Sequence, residues 1–273
     1  MELEITQQDF CTAVATPSSQ GAELFERCKP FFDEAQAFLE KSINYRVTDF
    51  PADNLIVANA TKAFVCLKAY HAAIPSIDLI WSSTGFGIVS NNTLAPASRE
   101  RVDALRQNVL SLAVVAKYCI IDELATIAAF AERQTDKPFV WRFSQYCGIA
   151  GDKLSIVDFD ALAPKLRRAE NRLKRLISAA ELNNLRELSH LSLTPGYNPT
   201  SAQAEAISLI EEYTIDQANG SCTADGFFPD ILAVVNDPDN AESFPNYTQS
   251  SEYESNNSAP YENTLDKPTF FFC

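Results

Sequence analysis

Few side chains in this 273-residue chain have the types and spacing that catalysis or metal binding requires. The two histidines, His71 and His190, have no partner at ligand spacing, so both are expected to be structural. The adjacent carboxylates Asp122 and Glu123 would point about 100° apart on a helix, so they would not face one substrate. We therefore predict no catalytic residue, no metal site and no cofactor. A carboxylate-dependent hydrolase using these two acids remains an alternative.

Motifs for phosphate or cation binding are equally weak. Residues 84–87 contain two glycines, but neither a Lys-Ser/Thr pair nor a helix follows at once, so they predict a tight turn. Asp158 and Asp160 lack a converging shell of oxygen ligands and predict helix capping instead. Asp237 and Asp239 predict a solvated turn for the same reason.

One helical segment carries a concentration of basic residues. Residues 161–190 contain seven bases against three acids. Such a run is usually a solvated helix face. Two alternatives are a docking strip for an acidic surface of a neighbouring copy, and a contact with DNA. The predicted interaction residues of this cluster are Lys165, Arg168, Arg172 and Arg175.

Composition limits the classes of function. A net charge of −14 argues against a general nucleic-acid binder, so any DNA contact is expected to be incidental. Seven cysteines without a C-x-x-C spacing predict free thiols in a reducing cytosol. The polar first residues predict no secretory signal, and charges interrupt the apolar stretches, which predicts no membrane span.

Apolar periodicity predicts a mainly α fold, a helical bundle around one long central helix at about 98–134. Ser98 is the predicted N-cap, and the apolar middle of this helix is expected to be the buried centre. Residues 77–95 are β-rich and predict a β-hairpin or extended loop, with Trp81 and Phe86 as interaction residues. Residues 1–20 are expected to be extended or loop-like. Further helices are predicted at 22–46, kinked or split at Pro30, at 54–73, capped by Asp53, at 161–180, and at 201–219, ended by Gly220.

The last 38 residues differ from the rest. Residues 236–273 carry a charge of −6 together with seven aromatic residues and four prolines. Prolines oppose a helix, whereas three consecutive phenylalanines are costly to leave in water. We therefore predict two parts, a helical body at 1–235 with the inserted loop 77–95, and an extended C-terminal arm at 236–273. The predicted hydrophobic anchor of this arm is Phe270, Phe271 and Phe272.

Residues 80–102 resemble a stretch of uncharacterised proteins encoded by tailed phages and prophages, proteins similar to head–tail connector or neck-ring subunits. The resemblance implies a structural, non-enzymatic virion protein, assembled in the bacterial host cytoplasm. It implies a homo-oligomeric ring that joins the portal to the tail and contacts other neck or tail proteins through the loop and the arm. No site residues come with it. A tail-end adaptor or tail terminator is an alternative, and a soluble binding module is an alternative of another class.

Overall fold

The structure is a computed structural model that describes residues 3–15, 18–77, 79–82, 85–88, 98–151, 154–220 and 224–258. Within these ranges the fold is mainly α-helical, as predicted. The first helices are α1 (Gln7–Val14), α2 (Ser18–Cys28), α3 (Phe32–Ile43), α4 (Leu55–Ile77), α5 (Arg99–Leu124) and α6 (Ala128–Ala131). The later helices are α7 (Phe143–Ala150), α8 (Ile156–Leu173), α9 (Ala179–His190), α10 (Ser201–Asn219), α11 (Ala224–Asn236), α12 (Pro245–Thr248) and α13 (Ser251–Asn257). Four 3₁₀ turns are Lys29–Phe31, Val47–Asp49, Glu132–Gln134 and Pro238–Ser243.

The N-terminal region contains a helix that the sequence interpretation missed. The expectation of an extended or loop-like segment at 1–20 is wrong for Gln7–Val14, which forms α1. Thr6 and Asp9 form a capping box, in which the Thr6 hydroxyl accepts from the Asp9 N–H and the Asp9 carboxylate accepts from the Thr6 N–H. Pro30 lies in the 3₁₀ turn between α2 and α3, so the predicted split of the 22–46 helix is confirmed.

Helix α4 begins one residue later than predicted and ends later. The side chain of Asn54, rather than that of Asp53, accepts a hydrogen bond from the Val57 N–H at 3.0 Å and satisfies a free donor of the first turn. The helix continues through Pro75 to Ile77, beyond the predicted end at residue 73. Pro75 cannot bond the His71 carbonyl, and its ring crowds that group, but its place in the last turn confines the disturbance to the end of the helix.

Helix α5 is the central helix, although it is shorter than predicted. Ser98 caps it by accepting from the Arg101 N–H, which confirms the predicted start. The predicted continuation to residue 134 is wrong, because α5 ends at Leu124 and Ile127 is extended before α6. The Thr126 hydroxyl donates to the Glu123 carbonyl, one of the acceptors that the helix end leaves free.

Two four-residue strands, β1 (Leu79–Ser82) and β2 (Gly85–Ile88), pair in antiparallel register. They fall within the range 77–95, for which the sequence predicted a hairpin or extended loop. Residues 78, 83–84 and 89–97 lie outside the described part, so the form of the whole segment stays a prediction.

The caps of the later helices differ in detail from expectation. The helix predicted at 161–180 begins at Ile156, because the hydroxyl of Ser155, rather than a carboxylate of Asp158 or Asp160, accepts from the first turn. That helix stops at Leu173, and α9 starts at Ala179 after a cap by Ser178. Helix α10 ends at Gly220, as predicted, where a φ of 77° favours glycine.

Two hydrophobic clusters form the core. The first centres on the packing of α4 against α5 and includes Phe10, Phe64 and Ile120. The second lies among α8 to α12 and includes Tyr213. Helices α8 and α10 contribute to both clusters, so they join the two parts of the bundle.

The predicted extended arm is wrong for residues 238–257, which form a 3₁₀ turn, α12 and α13. Phe244 and Tyr247 are fully buried in the second cluster, so the predicted division at residue 235 falls inside that core. The carboxylate of Glu181 accepts from the Asn246 and Tyr247 N–H groups at 2.9 and 3.1 Å. Proline stands at the first position of the turn and of α12, where a helix does not need its N–H.

Candidate interaction surfaces

A groove of about 530 Å³ runs between α4 and α5 on the outside of the bundle. Its walls are almost entirely apolar, and most of its side chains recur at helical spacing on one face of each helix. It is lined by Ala13, Ile56, Asn59, Ala60, Ala63, Leu67, Leu112, Val115, Ala116 and Cys119. We call this surface the α4–α5 groove.

Several large side chains in and beside the α4–α5 groove are exposed to an unusual degree. Ile56 is 53% exposed, Leu112 is 44% exposed and Val115 is 47% exposed. Leu55 precedes Ile56 in α4, and Leu105 lies two turns before Leu112 on α5; they are 72% and 41% exposed. Large exposed apolar side chains grouped in this way on a folded surface are typical of sites that contact another molecule.

The exposed row on α5 corrects one expectation. The apolar middle of this helix was expected to be the buried centre of the domain, and Val114, Ile120 and Ile121 are indeed buried. Val115 and Leu112 are not, because α4 and α8 cover only part of the helix circumference. By length and composition alone α5 is also apolar enough to cross a membrane, a property that it shares with core helices of globular proteins.

The basic residues of α8 divide into two groups. Lys165, Arg168 and Arg172 are exposed and line a smaller groove of about 170 Å³, together with Gln217 of α10. Arg172 donates to the Gln217 side-chain oxygen at 2.6 Å. Arg175 is also exposed, just beyond the end of α8. Within the described ranges no carboxylate lies within 4 Å of these four side chains, which we call the basic strip.

Arg167 belongs to the second group and is partly buried. It lies 3.6 Å from the carboxylate of Glu170, which is 1% exposed, and donates to the Asp136 carbonyl. Glu170 also accepts from the Phe139 N–H at 2.6 Å and from Arg186 at 3.3 Å. Burial raises the pKa of Glu170, while the nearby Arg186 and the Phe139 N–H oppose that rise. These contacts make Glu170 a buried structural anchor.

His190 is also structural, in agreement with the sequence interpretation. It is buried beside Trp141, and its Nε2 lies 2.9 Å from the Pro138 carbonyl, to which it donates. Burial lowers the pKa of His190 to about 4, so the imidazole is neutral near pH 7.

The carboxylates considered for hydrolysis do not converge. Asp122 accepts from the Ser144 hydroxyl at 2.6 Å, whereas Glu123 accepts from the Asn54 amide at 3.3 Å. Burial raises the pKa of both Asp122 and Glu211, and Arg142 offsets part of the rise at each. Glu211 is already satisfied by two side-chain donors. Neither Asp122 nor Glu211 lines the α4–α5 groove or the cleft described next.

A cleft of about 660 Å³ lies among α7, α10 and α11. Glu212 and Asp216 stand one turn apart on its wall, near Tyr146 and Asn219. Across the described ranges no group of three or more His, Cys, Asp or Glu side chains could hold a metal ion. The cleft therefore offers polar surface without a recognisable catalytic or metal-binding arrangement.

The C-terminal helices present an acidic surface. Residues 236–258 contain five acids and no base, and none of the five lies within 4 Å of a cationic group in the described ranges. We call them the acidic segment: Asp237, Asp239, Glu242, Glu252 and Glu254. Asp237 caps the 3₁₀ turn by accepting from the Asp239 N–H, and both residues are exposed, as the predicted solvated turn requires.

The other predicted interaction residues are only partly placed. Trp81 and Phe86 stand opposite each other in the Cα register of β1 and β2. The predicted anchor at 270–272 lies outside the described residues. The sequence interpretation missed the α4–α5 groove, whose signal was the second apolar row on α5 and the apolar first turn of α4.

A family of unknown function, DUF6712, matches residues 28–134, which is less than half of the chain. No curated protein and no solved structure matches the chain. The matched range contains α4 and α5 and therefore nearly all of the α4–α5 groove. Over this range the chain is similar to the family, and the similarity brings no activity with it.

Proposed function

We propose that this protein is a structural subunit of a phage virion, an oligomeric ring component of the head–tail connector or neck. The α4–α5 groove is the observation that carries the proposal. An apolar surface with large side chains up to 53% exposed is costly in water and is stabilised when a partner covers it. The specific assignment to the neck, with the portal and the tail as neighbours, rests on the resemblance of residues 80–102.

The interior of the bundle supports an assembly role over an enzymatic one. Three ionisable groups whose pKa is shifted by burial, Glu170, Glu211 and His190, each have hydrogen-bond partners that hold neighbouring elements together. Perturbed groups in catalytic sites face a cavity in which a substrate can reach them. The structural role of these residues therefore favours a protein that acts by binding other proteins through its surfaces.

The proposal is tested by the mass of the protein in solution and by the symmetry of its particles in electron microscopy. Leu112→Glu with Val115→Glu places two charges in the α4–α5 groove, where both side chains are nearly half exposed and the fold can accept them. We expect a ring in the natural protein and smaller species in this variant. Gln107→Glu is the matched control, because Gln107 is exposed on another face of α5.

Labelling of Cys119 gives a second readout of the same groove. This thiol is exposed in the groove, whereas Cys28 and Cys66 are buried, and burial raises the pKa of Cys28 to about 11. Maleimide should therefore modify Cys119 in the Leu112/Val115 variant and react more slowly with it in the assembled protein. The Cys119→Ser variant shows which part of the maleimide labelling comes from Cys119, because that part is lost. A natural protein that stays monomeric at all concentrations, with Cys119 fully reactive, would contradict the proposal.

A further inference from the structure

The basic strip has four cationic residues and the acidic segment has five acidic ones, so the two carry opposite charges of similar number. Resting on the proposed function, we propose that the basic strip of one copy binds the acidic segment of a second copy. This charged contact would be a second surface between subunits of the ring, in addition to the α4–α5 groove.

The basic strip concentrates cations on one face of a strongly acidic protein. The protein carries −14 overall, and some cations of the bundle, such as Arg27, Lys62 and Lys117, lie within 4 Å of carboxylates. Lys165, Arg168 and Arg172 do not, although they line one groove. The hydrogen bond from Arg172 to Gln217 fixes one guanidinium at its wall. A groove with fixed cations and no countercharge fits an acidic protein surface.

The acidic segment has the complementary properties. Its acids lie on short helices whose positions are fixed by the buried Phe244 and Tyr247, so the charges are presented on an ordered surface. Asn256 adds a hydrogen bond to the Leu176 carbonyl at 2.8 Å. Presenting charges on an ordered surface lowers the entropy lost when a partner binds.

The arrangement of the two surfaces determines the kind of assembly. They are different parts of one chain, so they can pair reciprocally in a two-fold dimer or head-to-tail in a ring or filament, and the ring of the proposed function requires the head-to-tail form. Exposed ion pairs contribute about 0–1 kcal/mol each, so the contact mainly sets orientation and salt sensitivity, and the groove supplies the apolar contact. DNA is the less favoured partner, because the net charge of −14 repels it.

The test exchanges charges between the two surfaces. The strip variant is Arg168→Glu with Arg172→Glu, and the acid variant is Asp239→Lys with Glu242→Lys; all four side chains are exposed. At about 50 mM salt we expect each variant alone to self-associate about tenfold more weakly than the natural protein. An equimolar mixture should recover the assembly, because each reversed surface then meets its opposite. Lys41→Glu with Arg46→Glu is the control of equal charge change and should have no effect.

The outcomes separate this inference from the proposed function. Unchanged association of the strip variant, or no recovery on mixing, would overturn the charged contact. Binding of a labelled DNA duplex that the strip variant loses, with self-association unchanged, would overturn it in favour of DNA. The Leu112/Val115 variant decides the proposed function separately, because it leaves both charged surfaces intact.

Discussion

Phe244 provides a direct test of the folded C-terminal helices. Its side chain is fully buried in the second cluster, although the composition of residues 236–273 favours an extended arm. Phe244→Ala should cost about 3–5 kcal/mol, the range for truncating a fully buried phenylalanine. This is a large share of a typical unfolding free energy of about 5–15 kcal/mol. The loss comes from the transfer of the ring and from the cavity left among its neighbours.

Urea unfolding followed by circular dichroism measures the effect. With a slope of about 3 kcal/mol per molar urea, the midpoint should fall by about 1 M or more. The matched control is Gln249→Ala, an exposed position between α12 and α13 that should change stability by less than about 0.5 kcal/mol. A change below about 1 kcal/mol for Phe244→Ala would refute the burial of this segment in the second cluster.

Two further predictions concern the buried polar groups. Glu170→Gln should destabilise the fold by roughly 3–5 kcal/mol, because it leaves Arg186 without its buried countercharge. The control is Glu205→Gln, which changes an exposed residue and should not destabilise the fold. Thermal unfolding compares the two variants, and equal effects would contradict the structural role of Glu170. Since burial lowers the pKa of His190 from 6.5 to about 4, the unfolded chain takes up the proton first, and stability should fall by up to roughly 3 kcal/mol as pH drops from about 6.5 towards 4. The difference in unfolding free energy between the natural protein and His190→Asn should therefore change across that window, and a pH-independent difference would contradict the neutral buried imidazole.

Local signals in the sequence predicted much of the bundle. The cap at Ser98, the split at Pro30 and the end at Gly220 were found because each depends on one residue with a strong conformational preference. The end of α5 was missed because the apolar spacing continues past Leu124 to Phe130, while the break depends on Thr126 and the extended Ile127.

The remaining errors arise from tertiary contacts. Composition could not show that Glu181 would accept from the backbone of α12, nor that Phe244 would find a place in the second cluster. The same limit applies to the surfaces. Periodicity identified the apolar residues of α5, but only the packing of α4 and α8 decides that Leu112 and Val115 are left uncovered.

Helices α8 and α10 contribute side chains to both hydrophobic clusters, and this has a consequence for the family match. The first cluster includes Phe159, Leu166 and Ile215, which all lie beyond residue 134. A polypeptide cut to the matched range would expose the apolar surface that these side chains cover. We therefore expect residues 28–134 alone to be less stable than the whole bundle, because part of the first cluster would lose its cover.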